Sequence, residues 1–97
     1  MFNGIIFSTG KITTIKKNNN SIYIGINTKL KFSQKDIGSS VSCNGVCLTI
    51  VKIKANLINF YISRETLQRS NFKLIKSNQI INLEKSLSYG QKISGHF

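Results

Sequence analysis

Residues 40–62 read SVSCNGVCLTIVKIKANLINFYI, three short runs of alternating side chains with a turn signal after each of the first two runs. Asn44-Gly45 favours a type I′ hairpin, because both central residues of that turn need a positive φ. Lys54-Ala55-Asn56 is predicted to make the next tight connection. The segment therefore predicts three antiparallel strands, over residues 40–43, 46–54 and 57–62.

The same period of two continues outside this segment, where Ile22, Ile24 and Ile26 alternate with Tyr23 and Gly25. Side chains of a strand point alternately to its two faces, so this pattern indicates strands rather than helices. Three further strands are predicted over residues 4–15, 21–30 and 79–84. Six short strands favour a small all-β antiparallel barrel, since closure removes the exposed edges of an open sheet.

Local signals mark a bend, a turn and one helix. Gly10 is a predicted bulge, because glycine weakens a strand interior unless the backbone bends there. The three asparagines at residues 18–20 predict an exposed hairpin tip. Residues 63–71 predict one short helix, with Ser63 as its N-cap and Glu65 near the positive end of the helix dipole.

The chain has 97 residues, of which 40% are hydrophobic, and this length suits one compact domain. No apolar stretch approaches the ~20 residues of a membrane span, and the N-terminus lacks the charged start and apolar run of a signal peptide. We therefore expect a soluble, cytoplasmic domain without a membrane partner.

Fourteen Lys and Arg residues against three acidic residues give a formal net charge of +11. Such a charge is typical of proteins that bind nucleic acid, anionic membranes or phosphorylated ligands. AT-rich coding is a simpler explanation, because Lys, Asn, Ile and Phe are abundant while Pro and Trp are absent. The lysines are also dispersed, with Lys16-Lys17 the one adjacent pair, so no basic arm is predicted.

Five segments are similar to riboflavin synthase and occur in that family's order and approximate spacing. They are residues 1–6 (MFNGII), 42–49 (SCNGVCLT), 65–67 (ETL), 81–84 (INLE) and 95–97 (GHF). The combination of NGVCLT with the opening and closing segments is more specific than any one motif. The likeness covers residues 1–97 as a single lumazine-binding barrel, the N-terminal half of a two-barrel enzyme.

That resemblance implies a six-stranded Greek-key barrel that occurs twice in the full enzyme, each copy binding one 6,7-dimethyl-8-ribityllumazine. The enzyme transfers a four-carbon unit from one lumazine to the other, giving riboflavin and a ribitylamino-pyrimidinedione, without a metal or organic cofactor. The implied partner is a second lumazine-binding barrel in a homo-oligomer, a trimer for full-length members and a dimer for an isolated barrel.

Strand parity separates the two cysteines. Cys47 and Thr49 share one face of their strand, and Val46 lies on the other. With Asn44-Gly45 as a two-residue turn, Cys43 lies opposite Val46 and shares its face. Cys43 and Cys47 then point to opposite faces, so neither a disulfide nor a shared metal is expected. The alternative for each cysteine is a buried hydrophobic role.

The resemblance places Cys47 in the ligand pocket and Ser40 near the reacting carbons, so these are the candidate catalytic residues. The candidate substrate-binding residues come from three segments, which border the ligand ring, its pteridine edge and its ribityl hydroxyls. They are Gly4, Ile5 and Ile6; Cys47, Leu48 and Thr49; and Tyr61, Ile62, Ser63, Arg64, Glu65 and Thr66. A helix start explains the types of Glu65 and Thr66 almost as well.

Three positions depart from the family pattern. Asn3 replaces a usual threonine, Tyr61 stands where an acidic residue is common, and Ser77-Asn78 replaces a Gly-Asp turn. Asn tolerates the left-handed conformation, so that turn is expected to survive. His96 is the one histidine and matches the first of the family's closing pair, and we assign it no catalytic role.

Two other functions stay open on the sequence. A non-catalytic lumazine- or flavin-binding protein needs only one barrel. A basic barrel that binds single-stranded nucleic acid fits the net charge and the nine aromatic residues, but the lysines do not interleave with aromatics in any strand. Binding that falls steeply with salt would favour the nucleic-acid function, because phosphate contacts release counterions.

Overall fold

The computed structural model describes residues 3–88 as a closed barrel of six antiparallel strands. The strands are β1 (Asn3–Asn18), β2 (Ser21–Thr28), β3 (Ser40–Cys43), β4 (Val46–Lys54), β5 (Leu57–Ile62) and β6 (Ile80–Ser88). One α-helix, α1 (Arg64–Arg69), and two 3-10 turns, Gln34–Asp36 and Phe72–Leu74, complete it. The order around the barrel is β1-β2-β5-β4-β3-β6, a Greek-key arrangement, and the predicted fold class is confirmed.

The segment around the Asn44-Gly45 turn agrees with the prediction at every boundary, since β3, β4 and β5 begin and end at the predicted residues. Asn44 and Gly45 have φ values of 51° and 84°, the two positive values that a type I′ turn requires. Ala55, with φ of 52°, lies in the next connection. The tip of the β3–β4 hairpin is held against β6, because Asn44 N–H donates to the Asn82 carbonyl at 2.8 Å.

The remaining strands differ from the prediction at their ends. β1 continues to Asn18, because Lys16 and Lys17 pair with β2. This pairing uses main-chain hydrogen bonds, so the polar side chains do not prevent it. β2 ends at Thr28, whose hydroxyl accepts the Leu30 N–H at 3.1 Å as the chain leaves the sheet. β6 extends beyond its predicted end because it pairs along the whole first half of β1.

The predicted bulge at Gly10 is wrong. The register between β1 and β2 shifts between Ile12 and Thr14, whereas Gly10 is regularly paired on both of its sides. A Cβ on Gly10 would overlap Ile26 Cγ2 and would lie 3.1 Å from Leu83 Cδ1. The glycine therefore reflects close packing inside the barrel rather than a bend of the strand.

Side chains from all six strands fill the interior. The buried hydrophobic cluster has fourteen members, of which eight are isoleucine. Phe72 belongs to this cluster, and Leu67 of α1 together with Leu30 and Phe32, which follow the end of β2, packs against it. Because side chains fill the interior, the groups of the strands that can contact other molecules are those on the outer surface. Within residues 3–88, none of the helices has the length and apolar character that a membrane crossing requires.

Candidate functional site

Three hydroxyl-bearing residues lie side by side on the outer face of β3, β4 and β5. Thr49 lies opposite Ser40 on one side and opposite Tyr61 on the other. Ser40 and Thr49 are exposed, and Tyr61 is half-buried. Directly opposed residues of antiparallel strands have Cβ atoms about 4.5–5.5 Å apart. Ser40, Thr49 and Tyr61 therefore form one contiguous strip, here called the hydroxyl row.

Cys47 faces the same outer surface, two residues before Thr49 on β4. It lies opposite Ser42 on β3, and Ser42 in turn lies opposite Glu84 on β6. The Cys47 side chain is exposed, and those of Ser42 and Glu84 are half-buried. The accessible thiol of Cys47 thus lies beside the hydroxyl row. The carboxylate of Glu84 lies on the same face, two strands away from Cys47.

The two cysteines lie on opposite sides of the barrel wall, as strand parity predicts. Cys43 is fully buried, Cys47 is exposed, and both are free thiols. Burial raises the pKa of the Cys43 thiol to about 12, and the neighbouring Cys47 adds to the shift. The Cys43 Sγ donates a weak hydrogen bond to the Val41 carbonyl at 3.7 Å. Cys43 is therefore a neutral core residue, which leaves Cys47 as the accessible thiol of the described residues.

The start of α1 continues directly from the end of β5. Ser63 is the N-cap, as predicted, and its hydroxyl accepts the Thr66 N–H at 3.2 Å while donating to Thr66 Oγ1 at 3.0 Å. These two hydroxyls therefore hold each other and fix the turn. Glu65 is exposed and meets Arg69 at 3.5 Å in an equally exposed pair, so its carboxylate stays available to a ligand.

The remaining predicted residues take different places. Leu48 and Ile62 are in the core, at 1% and 0% exposure, so their side chains point away from the outer face. Arg64 is exposed as the first residue of α1. Ile5 is exposed opposite Ser86 of β6.

The first predicted segment, residues 4–6, is separated from β4 by β6 and β3 in the order around the barrel. The structure thus brings Ser40, Cys47, Thr49 and Tyr61 together on adjacent strands, while residues 4–6 lie on β1, two strands from Ser40. Residues 3–88 contain no group of three or more His, Cys, Asp or Glu side chains placed to bind a metal ion. His96 and the closing GHF lie outside the described residues.

Sequence reasoning missed one large neighbour of the hydroxyl row. Tyr23 on β2 lies opposite Tyr61, with ring centroids 5.2 Å apart and ring planes at 53°. The alternation of β2 places the Tyr23 side chain on the outer face, and this was the one sign in the sequence that it could belong to the site. Its pairing with Tyr61 depends on the register of β2 against β5, two strands far apart in sequence, which no local pattern supplies.

The hydroxyl row lies on an exposed face of the barrel, since Ser40 and Thr49 are both exposed. One surface depression, of about 490 Å³, lies between the β3–β4 hairpin and the end of α1, where Val46, Arg69 and Phe72 line it. A second lies across β1 and β6, lined by Phe7 and Glu84 among others. Neither depression includes a residue of the hydroxyl row.

Comparisons with known proteins agree along the chain. A family model described as the lumazine binding domain matches residues 3–86. The chain is 37% identical over 97 residues to the riboflavin synthase of Photobacterium phosphoreum, covering 99% of this chain and 44% of that protein. It is 33% identical over 96 residues to that of Actinobacillus pleuropneumoniae, covering 99% and 45%. With that of Chlamydia trachomatis it shares 36% identity over 101 residues, covering 100% and 48%. The chain spans about half the length of the curated relatives it matches.

Proposed function

Because this chain belongs to the lumazine-binding domain family, we propose that it forms the N-terminal lumazine-binding barrel of a riboflavin synthase. In this proposal one 6,7-dimethyl-8-ribityllumazine binds on the outer face of β3, β4 and β5. The observation that carries the proposal is the hydroxyl row beside the exposed Cys47, in a chain similar to riboflavin synthases from end to end.

The hydroxyl row matches the hydrogen-bonding groups of a ribityllumazine. The ligand has ring carbonyl oxygens that accept hydrogen bonds and ribityl hydroxyls that both donate and accept. The hydroxyls of Ser40 and Thr49 can also do both, and the carboxylate of Glu65 accepts from ribityl hydroxyls. Leu48 and Ile62 support the site from the core side, since they anchor the strands that carry it.

The proposed reaction transfers a four-carbon unit between two lumazines. Loss of a proton from the 7-methyl group of one lumazine leaves an anion that its ring delocalises. A nucleophile adds to the second lumazine and leaves again with its electron pair after the two molecules have joined. The proton is returned, and the joined molecule separates into riboflavin and a ribitylamino-pyrimidinedione. Cys47 and Ser40 are the candidates for nucleophilic or polar assistance, because both side chains are exposed on the proposed binding face. Burial excludes Cys43 from this role.

A second lumazine-binding barrel completes the proposed site. The open face of one barrel holds one lumazine but has no second surface to align another against it. Fixing two reactants in a reactive orientation supplies up to ~7–11 kcal/mol in well-aligned systems. We therefore expect turnover to require another barrel, in a dimer of this barrel or in a trimer of the two-barrel enzyme.

A non-catalytic lumazine- or flavin-binding protein is the second candidate function. It is favoured by the same open face, which suits binding without turnover. Both candidates predict a complex with the lumazine, and only the first predicts conversion of the bound lumazine to riboflavin.

Titration of the chain with 6,7-dimethyl-8-ribityllumazine, followed by the ligand's absorbance and fluorescence, tests the proposal. We expect saturable binding that changes little with salt, because the ligand is uncharged. Thr49→Val should weaken binding about five- to tenfold, the effect of one net hydrogen bond. Thr9→Val is the matched control, since Thr9 is an exposed outward threonine on β1. Absence of binding, or equal weakening by both substitutions, would contradict the proposal.

Release of riboflavin, measured by its absorbance after incubation with the lumazine, separates the two candidates. Riboflavin formation that rises with barrel concentration through self-association supports the enzyme. Binding without any riboflavin formation in every oligomeric state supports the non-catalytic protein.

A further inference from the structure

Two tyrosines extend the hydroxyl row across the neighbouring strand. Tyr23 lies directly opposite Tyr61, which in turn lies opposite Thr49. The tyrosine rings are 5.2 Å apart between centroids and tilted by 53°. This spacing lies within the ~4.5–7 Å range of favourable aromatic pairs, and the tilt leaves each ring with part of its surface uncovered by the other.

The core fixes both tyrosines on the outer face. Ile24 and Phe60, the residues next to Tyr23 and Tyr61 on their strands, are paired with each other and fully buried. A slip of β5 by one residue against β2 would turn Tyr61 into the core and Phe60 into water. Tyr23 nevertheless keeps 37% of its surface exposed, so the pair presents aromatic surface to solvent beside the hydroxyl row.

We propose that Tyr61 and Tyr23 form an aromatic wall of the ligand site and make it selective for a flat conjugated ring. Tyr61 is the contact residue, because it adjoins Thr49, and Tyr23 is a positioning residue that holds the Tyr61 ring in its tilt. This inference rests on the proposed function and adds to it. The hydroxyls recognise the polar edge and the ribityl chain, while the aromatic wall recognises the ring system.

A purely structural role is the competing explanation for the pair. Cross-strand aromatic pairs stabilise antiparallel sheets without any ligand. The two explanations differ in what a substitution changes. Loss of a structural pair lowers the thermal midpoint of unfolding and leaves ligand affinity alone, whereas loss of a ligand wall lowers the affinity of the folded protein for the ring.

The experiment compares the affinity for 6,7-dimethyl-8-ribityllumazine of the wild-type chain and four variants, alongside each thermal midpoint. Tyr61→Leu and Tyr23→Leu remove the rings, and Tyr61→Phe and Tyr23→Phe restore them without the hydroxyl. We expect the leucine variants to bind about tenfold more weakly and the phenylalanine variants to stay within about twofold of wild type. Ile80→Ala is the control, because Ile80 is an exposed apolar residue of β6, a strand three positions from β5 in the closed barrel.

Unchanged affinity in folded leucine variants would overturn the aromatic wall while the wild-type titration still supports the proposed function. Absence of wild-type binding would overturn both. The wild-type chain supplies a second measurement if a leucine variant does not fold. Ring-proton resonances of Tyr61 should shift on addition of the lumazine because of its ring current, and unshifted Tyr61 resonances at saturation would overturn the inference.

Discussion

Cys43 and Cys47 flank the same two-residue turn yet open onto opposite sides of the barrel wall. Cys43 lies opposite Val46 and is buried, whereas Cys47 lies opposite Ser42 and is exposed. The hairpin therefore holds one thiol in the apolar core and the other on the proposed binding face, only four residues apart along the chain.

We predict that a thiol-alkylating reagent modifies Cys47 rapidly in the folded protein and leaves Cys43 unmodified. The thiolate is the reactive form, and Cys43 is both inaccessible and held protonated by its raised pKa. Mass spectrometry of the modified peptides at pH 8 checks the prediction. Both cysteines should react once denaturant unfolds the chain, and comparable rates in the folded state would contradict the assignment of the two faces.

Serine substitutions should separate the two cysteines in stability and binding. Cys43→Ser places a hydroxyl in the core and should lower the free energy of unfolding by ~1–3 kcal/mol if it lacks a hydrogen-bond partner. Cys47→Ser should leave stability nearly unchanged, because the site is exposed, and should weaken lumazine binding or slow turnover in a two-barrel enzyme. Denaturant unfolding and ligand titration on both variants give the answer. The reverse pattern would mean that the strand faces are exchanged.

Alkaline pH should destabilise the protein through Cys43. Its pKa in the folded state is about 12 against an ordinary value of 9.0. Between these values the folded chain keeps a proton that the unfolded chain has lost, so this contribution is complete below pH 9 and declines as pH rises. The decline is at most about 1.4 kcal/mol per pH unit. Unfolding free energies at pH 8 and pH 10.5 should fall less in Cys43→Ala than in wild type, and equal losses would refute the prediction.

Gly10→Ala should lower the free energy of unfolding by ~1–3 kcal/mol, the usual effect of overpacking a core. The added Cβ meets the Ile26 side chain, which is fully buried in the core, so the interior has to shift to admit it. Thr9→Ala is the control, because its side chain is exposed on the same strand. Thermal or denaturant unfolding of the two variants measures the difference. Equal stability of both would show that the interior relaxes around an added methyl group.

Lys85→Met should release the connection between β2 and β3. The Lys85 Nζ donates to the Lys31 carbonyl at 2.6 Å, lies 3.4 Å from Asp36 Oδ2, and sits 4.6 Å from the Phe32 ring centroid. The Lys85–Asp36 pair is largely shielded from solvent, so we expect a loss of about 1–2 kcal/mol and faster amide exchange over residues 29–39. Arg69→Met removes the exposed Arg69–Glu65 pair and should change little. Similar effects from both substitutions would contradict the prediction.

The sequence predicts the fold best where turn chemistry and strand period agree. Asn44-Gly45 fixes both the hairpin and the parity of its strands, so the boundaries of β3 and β4 and the opposite faces of the cysteines follow from it. Gly10 was misjudged because a glycine that avoids a steric overlap has the same local signature as one that permits a bend. The difference depends on Ile26 of the partner strand.

The residues of the candidate site also fall into those that a local pattern predicts and those that depend on the partner strand. Cys47 and Thr49 follow from alternation within one strand. The contact between Tyr61 and Tyr23 depends on long-range register, which a single sequence does not reveal. The burial of Leu48 and Ile62 follows from the same alternation that exposes their neighbours, but motif similarity assigns whole segments to a site and does not separate inward from outward residues.

The filled interior of the barrel gives alternate residues of one strand different evolutionary constraints. On β4, Leu48 and Ile50 must keep their volume because they pack in the core, while Cys47 and Thr49 face outwards and are free of that demand. A lineage could therefore change what the barrel recognises through outward substitutions alone, without unfolding it.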